Sequence, residues 1–224
     1  MPLQKISFKI PPGLWSSFKE QTDGLFVSRA PFLDHMIAAE VSALKVDLGT
    51  RVLSLRAKRH VSGELKRQGA KSVNIEVQEE TASALNDVTR EHNLVRDAFI
   101  CRLIIFLRSG DALLKYLEVP LEAGGKFFSD GLEKMPSSPM KAMEAVCNDP
   151  FFYIRHYVRE NWECGIYTVP LPKSLDWAAC FIDEKEVPGT KAYIEDQRLM
   201  AQAFDFFETD ALKGGSPATL EQMK

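Results

Sequence analysis

The residue types that act as nucleophiles, metal ligands or phosphate cradles all occur in this chain of 224 residues, but not at the spacings those chemistries require. His35, His60, His92 and His156 form no H-E-x-x-H or similar pair, and no G-x-S-x-G elbow occurs. Gly124-Gly125-Lys126-Phe127 lacks the upstream Gly and the following Ser/Thr of a phosphate-binding loop. Cys101, Cys147, Cys164 and Cys180 are widely separated, with no C-x-x-C, and read as reduced, mostly buried thiols. Acid clusters such as Asp183-Glu184-Glu186 read as a solvated loop. The sequence therefore points away from an enzyme and implies neither cofactor nor metal. It does concentrate positive charge. Between Arg51 and Lys71 there are seven cations (Arg51, Arg56, Lys58, Arg59, Lys66, Arg67 and Lys71) and one acid, Glu64. Such a segment is either a solvated helix face or linker, or a stripe lying along phosphates.

The net charge of -3 hides an asymmetry, because residues 1–115 sum to +4 and the remainder to -7. With 45% hydrophobic and 26% charged residues, the composition fits folded domains and excludes disordered and collagen-like classes. No stretch approaches the roughly 18 apolar residues of a membrane span. The first residues carry no basic, then apolar, secretory pattern, so the expectation is a cytoplasmic protein with no membrane partner.

The elements that would position these residues emerge from an internal repeat. Displaced by 67 residues, Lys5-Ile6-Ser7-Phe8-Lys9-Ile10 overlies Ser72-Val73-Asn74-Ile75-Glu76-Val77, and both alternate polar and apolar with the period of a half-exposed strand. The apolar register continues without a gap, pairing Phe18 with Leu85, Phe32 with Phe99, Leu33 with Ile100, Met36 with Leu103 and Ile37 with Ile104. Pro11-Pro12 and Glu79-Glu80 signal helix starts after each strand. Leu14 and Phe18, with Ala82, Leu85 and Val88, give a short helix one buried stripe in each copy. Thr22-Asp23-Gly24 and Glu91-His92-Asn93 then break the helices, with Gly or Asn suited to a left-handed turn. Second, more apolar helices begin near Ser28 and near Val95-Arg96-Asp97, and are apolar enough to require cover from beyond their own unit.

Strand, helix, helix in some 40 residues resembles the ribbon-helix-helix superfamily of Arc- and MetJ-like DNA binders. Leu94-Val95-Arg96-Asp97-Ala98-Phe99-Ile100-Cys101-Arg102-Leu103-Ile104 resembles that family's second helix, and Val27-Ser28-Arg29-Ala30-Pro31-Phe32-Leu33 is a weaker copy. The resemblance implies a mainly α fold with a short antiparallel β-ribbon, in which residues 1–115 hold tandem units at about 4–46 and 71–113 joined by a basic linker, 47–70. The two strands would pair within one chain as a pseudo-dimer. Lys5, Ser7, Lys9, Ser72, Asn74 and Glu76 would then point outward, toward base edges in the major groove of double-stranded DNA. Ser28, Arg29, Val95 and Arg96 at the second-helix starts, with Arg56, Lys58 and Arg59, are the candidate phosphate contacts. Pro31 removes one backbone donor, and Val95 lacks a hydroxyl.

Pro120, Gly124-Gly125 and Pro136-Ser137-Ser138-Pro139 mark a linker to a smaller α+β or irregular C-terminal domain, 116–212, followed by a disordered tail, 213–224. Within it, Asp149-Pro150 would open a helix through Phe151, Ile154, Tyr157 and Val158. Ile166 to Leu171 and Trp177 to Ile182 would be strands, and Tyr193 to Phe207 a helix. The expected function is sequence-specific DNA binding by a transcriptional regulator, such as a repressor, or by a plasmid or mobile-element accessory factor. The alternative is a protein-protein interaction scaffold on the same fold, with the acidic C-terminal half as its contact surface for a protein partner or for self-association.

Overall fold

The computed structural model of the chain describes residues 2–119 and 149–201, which fall into two compact units, Met1–Ile182 and Asp183–Lys224. The first is mainly helical around a single two-stranded antiparallel sheet. It opens with β1 (Leu3–Ile10), α1 (Pro12–Gly24) and α2 (Arg29–Leu48), passes through α3 (Leu55–Arg67), and repeats the order in β2 (Lys71–Gln78), α4 (Glu79–Glu91) and α5 (Arg96–Leu107). A short α6 (Asp111–Tyr116), α7 (Phe152–Trp162) and a 3-10 turn (Lys173–Ala178) complete it.

Alternation places Ile6, Phe8 and Ile10 of β1, and Ile75 and Val77 of β2, against the helices, while the residues between them face out. Trp15 stands edge-on to Phe8 at 6.0 Å and close to Phe18, which stacks on Phe32, so the first copy's strand and both its helices share one aromatic cluster. The two copies interlock. α2 packs on β2 and α4, whereas α5 packs on β1 and α1. Asp34 of α2 accepts the Gln78 N–H at the end of β2, and Cys101 of α5, its counterpart 67 residues on, donates its thiol to the Lys9 carbonyl of β1. Neither copy completes its core without the other.

The helix ends repeat in atomic detail. Leu25 N donates to Gln21, Phe26 N to Asp23 and Val27 N to Thr22; His92, Asn93 and Leu94 make the same three bonds to Val88, Arg90 and Thr89. This pattern requires a left-handed residue at its fifth position. Asn93 takes it in the second copy, at φ 54°, as expected. In the first, Phe26 takes it at φ 56°, while Gly24, the expected candidate, is the last helical residue. Gly24 stands two places too early, so the turn imposes the left-handed conformation on a phenylalanine.

The expected linker, 47–70, contains a helix. Ser54 caps α3 by accepting the Ala57 N–H at 3.1 Å, and Ala57, Val61 and Leu65, spaced by four, are buried beneath its basic face. Where the sequence placed a division after residue 115, residues 149–182 lie in the same unit as both copies. α5 explains this: Ala98 through Phe106 are buried without interruption, so no side of it is left for solvent. The strands expected at 166–171 and 177–182 are not formed. Thr168 and Val169 both donate to the Gly165 carbonyl in a tight turn, Pro170 and Pro172 interrupt any ladder, and a 3-10 turn occupies 173–178. α7 begins at Phe152, with Asp149 accepting the Phe151 N–H. Cys147, the 120–139 linker signals and the tail from 213 lie outside the described residues. In the second unit, Asp183 and Glu186 cap a one-turn 3-10 helix reciprocally, and Thr190 accepts the Tyr193 N–H at the start of a helical stretch, 191–201; the remainder of the helix expected to Phe207 lies outside the described residues. Among the described residues, no helix is long and apolar enough to cross a membrane.

Candidate nucleic-acid interface

The antiparallel register of the ribbon sets Ser7 directly opposite Asn74, Lys5 opposite Glu76 and Lys9 opposite Ser72. Asn74 is also the residue onto which the 67-residue displacement carries Ser7. The pairing is therefore symmetric about the repeat, with a position and its own counterpart facing each other at the centre. All six side chains are exposed, and Ser7 and Ser72 share a hydroxyl hydrogen bond at 2.7 Å across the strands. Three residues deep on each strand, this polar face spans about 13 Å at a strand rise of about 3.3 Å per residue. It presents ammonium donors, hydroxyls, one carboxamide and one carboxylate. The sequence missed Lys71, which begins β2 opposite Ile10 and is exposed despite its inward parity.

Each second helix starts beside the strand of the other copy. Ser28, at the N-cap of α2, Arg29 and the end of α1 form, with Val73 to Glu76 of β2, an open groove of about 830 Å³ into which Lys19 also projects. Arg29 donates to Asp23 at 2.6 Å, an ion pair on the rim of this groove. On the opposite side, the Arg96 guanidinium donates to the Ser7 carbonyl of β1 and, at 3.4 Å, to Asn86. Val95 caps α5 through its backbone alone, in extended conformation. Asp97, next to Arg96, accepts the Lys9 N–H, although burial raises its carboxyl above the usual aspartate range. The first turn of any helix leaves backbone N–H groups without intrahelical acceptors, so both starts present donors near the ribbon.

Arg56 and Arg59 are exposed on α3, whereas Lys58 is half-buried and donates to Asn93 Oδ1 at 2.9 Å. The segment before α3 covers the α4–α5 turn: Leu53 N donates to the His92 carbonyl, Asn93 Nδ2 to the Leu53 carbonyl, and the His92 ring meets the Arg51 carbonyl at 2.7 Å. The structure thus brings the six ribbon residues and the two helix starts together, and ties the basic segment to the second start only. Sequence reasoning missed this tie. Its signal was Ser54 three residues before Ala57, followed by the apolar spacing of four.

Farther from the ribbon lies a buried polar lock. Arg102, pushed down to about 10 by complete burial, donates to the carbonyls of Ile166 and Val169 at 2.7 and 2.5 Å. Tyr167 donates to Glu40 at 2.7 Å, Arg155 to the same carboxylate at 2.8 Å, and the Tyr167 N–H to Asp47. Burial outweighs these partners and holds both carboxyls above their ordinary values. The Asp47 carboxylate occupies the space a Cβ on Gly165 would fill, so a larger residue there would displace it from the Tyr167 N–H. These bonds dock residues 149–182 on α2 and α5, and leave only Arg155 Nη1 buried without a partner among the polar groups of the lock. Among the described residues, no group of three His, Cys, Asp or Glu side chains is arranged to hold a metal. Comparison of the chain with protein-family models, curated proteins and solved structures finds no match.

Proposed function

We propose that the chain is a sequence-specific, double-stranded DNA-binding protein of the ribbon-helix-helix kind, with two copies of the unit fused in tandem so that one chain is a pseudo-dimer. One observation carries the reading: a two-stranded ribbon, its register symmetric about Ser7 and Asn74, exposes only polar side chains at six central positions and is flanked by two helix N-termini. A two-stranded ribbon fits the major groove. Lysine donates to guanine O6 and N7, asparagine pairs bidentately with adenine, and glutamate accepts from cytosine N4. The helix starts at Ser28-Arg29 and Val95-Arg96 supply backbone donors to phosphates on either side. α3 extends this positive surface next to the α4–α5 turn. The chain would act as a transcriptional regulator or as an accessory factor of a mobile element.

Because Lys5, Ser7 and Lys9 differ from Ser72, Asn74 and Glu76, the preferred core site is asymmetric, unlike the palindrome of a symmetric dimer. Selection of sites from random duplex DNA, followed by titration over a range of salt concentrations, tests both statements. The expected result is an asymmetric consensus whose affinity falls linearly in log-log form with salt. Asn74→Ala should weaken the preferred site by about 1–3 kcal/mol and leave non-specific duplex nearly unchanged. No enrichment, or an unchanged preference in Asn74→Ala, overturns the reading. A second reading, a protein-protein scaffold, draws on the exposed Leu25 and Phe26 at the α1–α2 turn, and gains if the chain binds no duplex.

A further inference from the structure

Away from the ribbon, the start of α1, the end of α5, α6 and the turn at 172–177 enclose an open concavity of about 690 Å³. Leu14, Ile105, Leu113, Leu175 and Trp177 make most of its wall apolar, and the hydroxyls of Ser17, Ser109 and Ser174 stand among them. Among the described residues, the wall contains one charged group, the Arg108 guanidinium, and no carboxylate. Arg108 follows α5 directly and is half-buried, with its backbone fixed by the Ile104 and Ile105 carbonyls. Its Nε is buried without an acceptor, and no ion pair or hydrogen bond engages the guanidinium among the described residues. The unit's other inward-set cations are treated differently: Arg102 has two carbonyls, and Arg155 has Glu40 and Asp149.

A cation partly withdrawn from water and left without a counter-ion is unfavourable, and an arriving anion relieves it. The planar guanidinium matches a carboxylate in two parallel hydrogen bonds. The volume lies within the range of small-molecule sites, about 300–1,000 Å³, which are characteristically apolar with a few polar groups that fix orientation. We propose that this concavity binds a small organic carboxylate with an apolar body, its carboxylate on Arg108 and its body against Leu14, Leu113 and Trp177. A cationic ligand would be repelled by Arg108, and a neutral hydrocarbon would leave the guanidinium unpaired. The site is independent of the ribbon and of the DNA-binding reading.

Calorimetric titration of the full chain with 1-naphthoate, and with the neutral 1-naphthamide of the same shape, tests the assignment. Expected are saturable one-to-one binding of the carboxylate and binding of the amide weaker by about tenfold or more. Arg108→Gln should lose about tenfold for the carboxylate and nothing for the amide, while Arg108→Lys, which keeps the charge but not the two parallel hydrogen bonds, should fall between Arg108→Gln and wild type. Arg90→Gln, an exposed cation paired with Asp87 on α4, should bind as wild type. Far-ultraviolet circular dichroism of each variant confirms that it is folded. Absence of naphthoate binding by the wild type overturns the proposal. Equal affinity for acid and amide, or a folded Arg108→Gln that binds the acid as wild type does, overturns it too.

Discussion

The two second helices occupy the same place in the repeat and live in different surroundings. α2 buries a single stripe, Leu33, Met36, Ile37, Glu40, Val41, Leu44 and Leu48, whereas α5 is buried on every side from Ala98 to Phe106. Position by position the contrast is sharp: His35 is exposed on α2, and its counterpart 67 residues on, Arg102, is 1% exposed and hydrogen-bonded to two backbone carbonyls. The turns that precede the helices differ in the same sense. Asn93 is held by Leu53 and Lys58, while Phe26, in the same left-handed conformation, is 97% exposed beside Leu25 at 72%. The repeat fixes backbone conformation; what packs on it afterwards fixes the role of each side chain. Residues 149–182 dock on both second helices, but only the second copy's turn is covered, by α3 and the segment before it, and the first has kept an open turn.

The largest expected effect breaks that cover. Arg102→Met leaves the Ile166 and Val169 carbonyls without donors in a dry interior, and urea denaturation should show a loss of about 3 kcal/mol, against no more than about 0.5 kcal/mol for His35→Met. Equal losses would mean that the two positions are not differently loaded. At the turns, Asn93→Ala removes both bonds to the α3 segment and should destabilise by about 1–2 kcal/mol. Phe26→Gly should instead stabilise by about 1 kcal/mol, because it removes a bulky side chain from left-handed backbone without taking away a contact. A destabilised Phe26→Gly variant would show that the exposed ring contributes to folding.

A third comparison uses pH. Burial, only partly offset by Arg155 and Tyr167, holds Glu40 above its ordinary 4.5, so folding favours the protonated carboxyl. Its contribution is complete below about pH 4.5 and is lost as pH rises through the raised value. Stability of the wild type relative to Glu40→Gln should therefore decline between pH 4 and pH 7, measured by thermal unfolding at fixed salt. A difference that is flat or rises with pH would place the Glu40 pKa at or below its ordinary value. The smallest effect concerns the open turn and rests on the DNA-binding reading. Asp23→Asn frees Arg29 from its exposed partner and should tighten duplex binding a few-fold, by about 0.7 kcal/mol at low salt, with the gain vanishing as salt rises. An unchanged affinity at low salt would mean that Arg29 does not approach phosphate.

Much of the first 115 residues was legible because strand alternation and helical spacing are local periodicities. The 67-residue displacement brought Ser7 over Asn74, and the outward and inward faces followed from parity alone. α3 was read as a linker because its charges dominated its composition, although Ser54 and the buried spacing of Ala57, Val61 and Leu65 were already present. The strands read at 166–171 and 177–182 failed for a different reason. In the first, the Ile166 and Val169 carbonyls go to Arg102 rather than to a neighbouring strand, and the second begins inside the 3-10 turn, which packs on α3 and α5.

By itself, then, the sequence determined the repeated order of strand and two helices, the face on which Lys5, Ser7, Lys9, Ser72, Asn74 and Glu76 stand, and the starts of the second helices at Ser28 and Val95. These depend on spacings within one element, which any pairing partner would leave unchanged. Only the tertiary structure decided that α2 flanks β2 and α5 flanks β1, that Phe26 rather than Gly24 takes the left-handed turn, and that Arg102 is interior while His35 is not. The helix placements and the burial of Arg102 depend on which surfaces meet across 44 to 92 residues of chain, and a side chain's burial is a property of that meeting.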